Sequence, residues 1–280
     1  MSFWESSFLW LEAVIASMAV AAACGMVGVY TVLRRVVFLP AALSQVSGLG
    51  VVLAFLLPVL FPALAGCALF EPALFALGVT LLAALLLGWM PEPRRLSREA
   101  LIGIAFIAAS ALVILVGDRV PQESHDIENI LFGNAVAVER GQMFRALGTA
   151  GAVIVVHVWL LRPFMLVSFD RETALAHGVR VRAIDAVLFL SLGLAIAVAT
   201  RTIGAMPVFA FCLLPAVAAL RAFEEVRAVL ASAALVGAAS AFLGYWASFA
   251  WELPTGACTV VVAALFLLPA AVIGRLRRDE

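Results

Sequence analysis

Nine apolar segments follow one another along this chain, and each is about long enough to cross a membrane as a helix. About 20 apolar residues span the hydrocarbon core of a bilayer. The predicted spans are Phe8–Leu33, Ala41–Leu64, Pro72–Met90, Glu99–Gly117, Met143–Leu161, Ile184–Thr200, Ala205–Leu220, Val226–Ala250 and Thr255–Gly274. Only 13% of the 280 residues are charged, against about 25% in soluble domains. The sequence therefore predicts an all-α, polytopic membrane protein, with residues 1–280 forming one transmembrane domain in the lipid bilayer.

The arginines predict the orientation of these spans. All 18 basic residues are Arg, and the cytoplasmic loops of membrane proteins carry an excess of basic residues. If the N-terminus lies outside, only Arg119, Arg140, Arg145 and Arg201 are left on the outer side. We therefore predict an N-out, C-in topology.

Charge and motif content exclude several classes of function. The 18 acidic residues balance the 18 basic ones, so no basic field attracts nucleic acid. A P-loop ATPase needs a Walker A lysine, and this chain has no lysine. An integral membrane enzyme needs paired catalytic groups at one depth, but there is no HExxH or GxSxG motif and the acids cluster at span ends. The four cysteines are widely spaced and form no metal-ligand motif.

The segment of residues 163–185, on the predicted inner side, contains the signals of a short helix between two spans. Asp170 is a good N-cap residue, and Glu172 lies in the first turn, where a negative charge is favourable. Gly178 suits the left-handed conformation that ends many helices. We expect about two helical turns over Arg171–His177. This helix either lies on anionic lipid or docks a soluble partner.

The segment of residues 118–142, on the predicted outer side, combines acidic residues with a short apolar stretch. Residues 130–138 are too few to span a bilayer, and they predict a re-entrant or interfacial helix. Metal-ligand residue types cluster just before them, at Glu123, His125, Asp126 and Glu128. A solvated acidic loop is the favoured interpretation, because no fixed spacing defines a metal geometry.

Polar and helix-breaking residues inside the spans are candidates for function, because polar groups in the membrane are expensive. Ser44, Gln45 and Ser47 form the most concentrated polar set. They either line a pathway or hold neighbouring helices together. Pro207 and Pro215 predict a broken helix of the kind that lines a cavity.

Two further residues allow two interpretations each. His157 in the fifth span is more typical of a hydrogen-bonded packing residue than of a metal ligand. His157 and His125 are weak candidates for metal ligands, and the sequence contains no strong candidate. Asp185, at the inner edge of the sixth span, is expected to pair with Arg182 or to cap the helix.

Taken together, these residues resemble the permease subunits of ABC-type metal importers, the manganese/zinc/iron family called ABC-3. The likeness extends over nearly the whole chain. It lies in residues 25–35 (GMVGVYTVLRR), 38–44 (FLPAALS), 131–138 (LFGNAVAV), 170–178 (DRETALAHG), 182–185 (RAID) and 213–216 (LLPA).

The resemblance implies a type II importer-like permease that pairs as a homodimer in the bacterial inner membrane. Two cytoplasmic ATP-binding subunits would lie beneath it and bind ATP and magnesium, so no cofactor is expected in this chain. A periplasmic or lipid-anchored substrate-binding protein would dock on the outer side. Such a permease imports zinc, manganese or iron by alternating access.

The resemblance also implies roles for particular residues. The segment from Asp170 to Gly178 is similar to the family's coupling helix, and ATPase contacts are expected from Asp170, Arg171, Glu172, Ala176, His177 and Gly178. The translocation pathway is expected at Ser44, Gln45, Ser47, Pro207 and Pro215. Docking of the binding protein is expected at Arg119, Glu123, Asp126, Glu128 and Arg201.

One departure from the family pattern concerns the substrate. After the arginine pair the family shows an Asp and then Ala-Leu-Ser-His, whereas Ala41 and Gln45 stand at the Asp and His places here. An amide oxygen is a poorer zinc ligand than imidazole. Either the metal ligands lie elsewhere, or the cargo is different. A secondary transporter is the alternative function, although it normally needs buried carboxylates, which the span centres lack.

Overall fold

The computed structural model describes residues 7–64, 67–89, 96–119 and 138–277, and within these ranges the chain contains helices and no strand. The helices are α1 (Ser7–Leu33), α2 (Leu39–Leu60), α3 (Pro72–Trp89), α4 (Arg98–Gly117), α5 (Arg140–Trp159), α6 (Leu161–Phe169), α7 (Arg171–Ala176), α8 (Val181–Ile203), α9 (Ala205–Ala222), α10 (Val226–Trp251), α11 (Thr255–Leu265) and α12 (Leu267–Leu276). Single 3-10 turns lie at Pro62–Leu64 and Ala68–Phe70. The predicted all-α class is confirmed.

Nine helical stretches within these described ranges are long and apolar enough to cross a membrane. Each overlaps one predicted span, and the ends differ by a few residues. The ninth stretch, Thr255–Leu276, consists of α11 and α12 joined at Phe266. The second ends at Leu60, because Pro62 cannot continue the helix.

Two polar contacts between spans lie at opposite ends of the bundle. At the end that carries α7, the carboxylate of Glu99 accepts the backbone N–H of Phe38 at 2.9 Å. At the opposite end, Arg140 pairs with Glu12 at 2.7 Å. Each contact joins residues that the sequence assigns to one side of the membrane. The two ends are called the α7 end and the opposite end below.

Helix α1 runs through the centre of the bundle, where glycine allows its neighbours to approach closely. A Cβ atom on Gly28 would lie 1.7 Å from the backbone oxygen of Cys212 in α9. A Cβ on Gly25 would lie 2.4 Å from the backbone oxygen of Ala233 in α10. Small residues at helix crossings are a common basis of packing in membranes. The GxxG pair therefore fixes α1 against two different helices.

The connection between α8 and α9 differs from the prediction. Gly204 alone separates the two helices, with a φ of 89° that favours glycine. The predicted break at Pro207 and Pro215 was wrong, because α9 runs unbroken from Ala205 to Ala222. Pro207 lies in the first turn, where a backbone N–H has no partner within the helix. Pro215 removes one hydrogen bond from the interior of α9, and the helix continues through it.

Candidate functional site

Helix α7 is a capped helix of six residues at one end of the bundle. The carboxylate of Asp170 accepts hydrogen bonds from the hydroxyl and the backbone N–H of Thr173, and these bonds lower the pKa of Asp170. Gly178 follows the helix with a φ of 72°. The predicted cap and the predicted glycine end are therefore confirmed. The helix covers Arg171–Ala176 and is slightly shorter than the two turns expected.

One side of α7 is anchored and the other is exposed. Ala174 is fully buried in a small cluster with Val167 of α6 and Val181 of α8. Leu175, the next residue, is 58% exposed although it is apolar. Leu175 had no predicted role; the residues with a predicted coupling role are exposed as well: Asp170, Arg171, Glu172, Ala176, His177 and Gly178. The helix thus presents one large apolar side chain, that of Leu175, among mostly polar ones, while Ala174 anchors its other side.

Asp185 joins α7 to the ends of α1 and α8 through two arginines. Its Oδ1 accepts Arg34 Nη1 at 2.6 Å and its Oδ2 accepts Arg171 Nη1 at 2.8 Å. Arg34 Nε also donates to the hydroxyl of Ser168 in α6 at 2.8 Å. The predicted roles of Asp185 were wrong, because Arg182 is exposed and α8 has no side-chain cap. The carboxylate instead bridges distant parts of the chain.

The two halves of this network differ in their exposure to solvent. The side chains of Arg34 and Asp185 are only 10% and 7% exposed, whereas that of Arg171 is 53% exposed. Burial lowers the pKa of Arg34, and the hydrogen bond and charge of Asp185 oppose this shift. The buried pair therefore fixes α1 to α8, and the half-exposed pair connects α7 to both.

A cleft of about 400 Å³ lies between α2, α4 and α9. Most of its wall is apolar, with contributions from all three helices: Phe38, Ala41, Phe106, Val113, Ile114, Ala205, Met206 and Phe209. The oxygen-bearing side chains on the wall are those of Ser44, Gln45 and Ser110. The hydroxyls of Ser44 and Ser110 each donate to a carbonyl one turn earlier, at 2.9 and 2.8 Å. Ser110 and Gln45 are partly exposed and can therefore offer oxygen lone pairs to an incoming group, whereas Ser44 is only 1% exposed.

The structure brings together some of the residues predicted for the pathway and not others. Ser44 and Gln45 line the cleft. Ser47 is fully buried, and its hydroxyl has no hydrogen-bond partner among the residues described. Pro207 and Pro215 are buried in α9 and do not line the cleft.

Ala41 and Gln45 occupy neighbouring positions on this wall. They are four residues apart on α2, so they lie on one face of the helix. Both line the cleft. The places where the family pattern has Asp and His therefore face this space. Sequence reasoning missed Ser110 and Met206, which complete the wall from other helices.

His157 lies away from the cleft, in a buried aromatic cluster. Its Nδ1 hydrogen-bonds to the carbonyl of Val153 at 2.8 Å. Its ring centroid is 5.2 Å from that of Tyr30 and 5.1 Å from that of Phe164. These contacts favour the packing interpretation. In the part of the chain that the structure describes, no group of three His, Cys, Asp or Glu side chains lies close enough to hold a metal.

The predicted outer docking residues are only partly described. Arg119 lies two residues beyond the end of α4, and Arg201 lies in the last turn of α8, so both are at the opposite end from α7. Glu123, His125, Asp126 and Glu128 lie outside the described residues. Their roles stay predictions.

Comparison with known proteins gives consistent matches over nearly the whole chain. Residues 7–274 match the ABC 3 transport family. The manganese transport system membrane protein MntC of Halalkalibacterium halodurans is 31% identical over 92% of this chain and 85% of that protein. The manganese import system permease protein ScaB of Streptococcus parasanguinis is 30% identical over 96% of this chain and 92% of that protein. The structure is similar to that of PsaBC from Streptococcus pneumoniae in complex with Fab, with a TM-score of 0.81 and 25% identity over 96% of this chain and 95% of that one.

Proposed function

This chain belongs to the ABC 3 transport family, and on that premise we propose that it is the permease subunit of an ABC transporter that imports manganese, zinc or iron. The observation that carries this proposal is the similarity to manganese permeases along nearly the full length of the chain. The absence of lysine agrees with it, because ATP hydrolysis then belongs to a partner subunit that binds ATP and magnesium. Membership in the family disfavours a secondary transporter.

The proposed assembly is a homodimer of this chain in the bacterial inner membrane. Its α7 end faces the cytoplasm and two ATPase subunits, since the predicted topology assigns fourteen of the 18 arginines to that side. The opposite end meets a periplasmic or lipid-anchored binding protein. Its docking surface includes Arg119 and Arg201, together with Glu123, Asp126 and Glu128 from the outer segment.

The contacts of α7 suggest how ATP-driven motion reaches the pathway. Leu175 inserts into a groove of the ATPase, so α7 moves when the ATPase pair closes. Asp185 passes this motion to α8 through its bond to Arg171. Helix α8 ends at Gly204, and α9, which forms one wall of the cleft, starts at the next residue. ATP binding would open the cleft outward, and hydrolysis would return it inward.

The chemistry of the cleft suits a transient metal site. A permease must release its ion in every cycle, so strong ligands would slow transport. Gln45 and Ser110 offer neutral, partly exposed oxygen atoms, which suit hard ions such as manganese. Without a carboxylate on the described wall, they bind such an ion weakly.

The decisive experiment replaces the exposed side chain of α7 in the complete transporter. Leu175→Glu places a charge in the ATPase groove, and Leu175→Met is its matched apolar control. Burying a leucine contributes about 1.5–3 kcal/mol, so we expect Leu175→Glu to weaken ATPase binding by at least about tenfold. ATPase co-purification and ATP-dependent uptake of radiolabelled manganese, zinc and iron into proteoliposomes are measured together.

The outcomes separate the candidate functions. Because Leu175 is exposed, both variants should fold, which size-exclusion chromatography in detergent checks. We expect Leu175→Met to keep ATPase binding and uptake. Uptake by Leu175→Glu without bound ATPase would indicate a secondary transporter. If the unmodified complex hydrolyses ATP but takes up none of the three metals, the proposed cargo is wrong.

A further inference from the structure

Phenylalanine rings line the α7 end of the cleft between α2, α4 and α9. Helices α2 and α4 begin at this end, and α9 ends there, because α8 starts beside α7 and α9 returns from the opposite end. On each of the three walls, the lining residue nearest to the α7 end is a phenylalanine: Phe38, Phe106 and Phe209. Gln45 is seven positions beyond Phe38 on α2, and Ser110 is four positions beyond Phe106 on α4, which is about 10 and 6 Å along a helix axis. The rings therefore lie between these oxygen atoms and the predicted cytoplasmic side.

Two of the three rings meet across the cleft. The ring centroids of Phe38, which directly precedes α2, and of Phe209 in α9 are 6.1 Å apart, and the ring planes differ by 19°. This stacked pair bridges two walls of the cleft at its α7 end. A stacked pair of rings is a weak contact compared with a closely packed core, so it can separate and form again.

The two rings belong to parts of the bundle that are held differently. The backbone N–H of Phe38 donates to the carboxylate of Glu99 at 2.9 Å, which fixes this turn to α4. The residue is nevertheless 48% exposed, so core packing does not fix its ring. Phe209 lies in α9, the helix that the proposed coupling moves through α8 and Gly204. A displacement of α9 would therefore separate the rings while the backbone of Phe38 stays with α4.

We propose that Phe38 and Phe209 form the inner gate of the translocation pathway, an assignment that rests on the proposed function. While the rings are stacked, they form an apolar barrier between the oxygen atoms of the cleft and the cytoplasm. Ions do not readily cross an apolar constriction, because they would lose their hydration there. The neutral oxygen atoms bind the ion weakly, so a separate barrier retains it until α9 moves. The rings then part, and the ion leaves towards the cytoplasm.

Cross-linking in the complete transporter tests this gate. Phe38→Cys with Phe209→Cys is made in a Cys67→Ser background, because the other three cysteines are buried, and is treated with a short bifunctional methanethiosulfonate reagent. We expect cross-linking to be at least about fivefold faster with a non-hydrolysable ATP analogue than without nucleotide, since the proposed cycle closes the inner side when ATP binds. The cross-link should abolish ATP-driven manganese uptake, and dithiothreitol should restore it. Phe70→Cys with Phe75→Cys is the matched control, because these rings stack at 5.2 Å away from the cleft. Its cross-linking should not depend on nucleotide, and its uptake should not change.

Substitution gives a second measurement that needs no engineered cysteine. The ATP analogue holds the outer side open, so the phenylalanine pair is then the remaining barrier in the cleft. Phe38→Ala with Phe209→Ala should let manganese leak from preloaded proteoliposomes at least about tenfold faster than the unmodified complex does. Phe38→Leu with Phe209→Leu keeps two large apolar side chains and should keep the leak low.

Several results would overturn the gate. These are a cross-linking rate that does not change with nucleotide, full uptake with the cross-link in place, or a leak from the alanine variant no faster than from the leucine variant. A dimer-sized product on a denaturing gel would overturn it too, because the stacked pair lies within one chain. If the unmodified complex takes up no metal but cross-linking still follows the nucleotide, the gate stands and the proposed cargo is wrong.

Discussion

Replacing Asp185 with asparagine keeps the size of the side chain and removes the charge that Arg34 and Arg171 share. Arg34 is 10% exposed, so without the carboxylate its guanidinium stays buried with Ser168 as its remaining polar side-chain contact. Breaking a buried ion pair by removing one partner costs about 3–5 kcal/mol. We expect Asp185→Asn to lower the free energy of unfolding by that amount.

Arg171→Gln is the internal comparison for this prediction. Its side chain is 53% exposed, and solvent-exposed ion pairs contribute about 1 kcal/mol or less. Arg171→Gln should therefore leave the folded state nearly as stable. It should nevertheless reduce ATP-driven uptake, because it removes the ion pair between α7 and α8 and leaves the apolar contact of Ala174 with Val181. The substitutions Asp185→Asn and Arg171→Gln, made in one ion-pair network, thus separate the effect on stability from the effect on coupling.

The assay is reversible unfolding in mixed detergent micelles, followed by the fluorescence of the six tryptophans. Arg34→Gln combined with Asp185→Asn completes a double-mutant cycle. The double variant should be more stable than the sum of the single changes predicts, by up to about 3 kcal/mol, since no charge is left buried alone. Two results would refute the conclusion that the buried Arg34–Asp185 pair stabilises the protein. One is additive changes in the free energy of unfolding, and the other is an equal loss of stability in Asp185→Asn and Arg171→Gln.

Three further changes test the site and the packing. Asp170→Asn should keep the cap of α7, whereas Asp170→Ala should fray the helix, and amide hydrogen exchange measures the difference. Because the pKa of Asp170 is lowered, its charge stabilises the folded protein at pH values above the usual aspartate range. This stabilisation is lost as the pH falls through the lowered pKa. Ala41→Asp with Gln45→His should tighten manganese binding in calorimetry and slow its release. Gly28→Ala should destabilise the protein by at least about 1–3 kcal/mol, whereas Gly151→Ala, which has open space around it, should be neutral or stabilising.

The spans were predictable because membrane insertion depends on properties that are local in sequence. A run of apolar residues of sufficient length defines a span, and no long-range contact is needed to recognise it. The cap of α7 was predictable for the same reason, since Asp170 and Thr173 are neighbours. Gly178 belongs to this group, because a left-handed helix end favours glycine.

The buried partner of Asp185 was not predictable, because it comes from a distant part of the chain. Arg182 is one helical turn away, and neighbour rules favour such a pair. The structure instead selects Arg34, which is 151 positions away in sequence. Packing of α1 against α8 makes that choice, and no local pattern encodes it.

The proline prediction failed for a different reason. A proline in a helix removes one hydrogen bond, and membrane helices tolerate this when neighbouring groups compensate. Pro215 is buried in a continuous α9, and the helical path is interrupted instead at Gly204. The signal was present in the sequence as a single glycine before Ala205.

The wall of the cleft shows how far a sequence can specify a transport site. The spacing of Ala41 and Gln45 places them on one face of α2, whereas Ser110 and Met206 reach the same space from α4 and α9. Gln45 and Ser110 offer neutral oxygen atoms, Met206 offers a sulfur atom, and Ala41 offers no metal ligand. This wall therefore has no strong ligand with which to distinguish manganese from zinc or iron. Under the proposed function, selection among these metals must then occur before the ion reaches the cleft. On the same proposal, the binding protein expected at the opposite end would be the component that makes this selection.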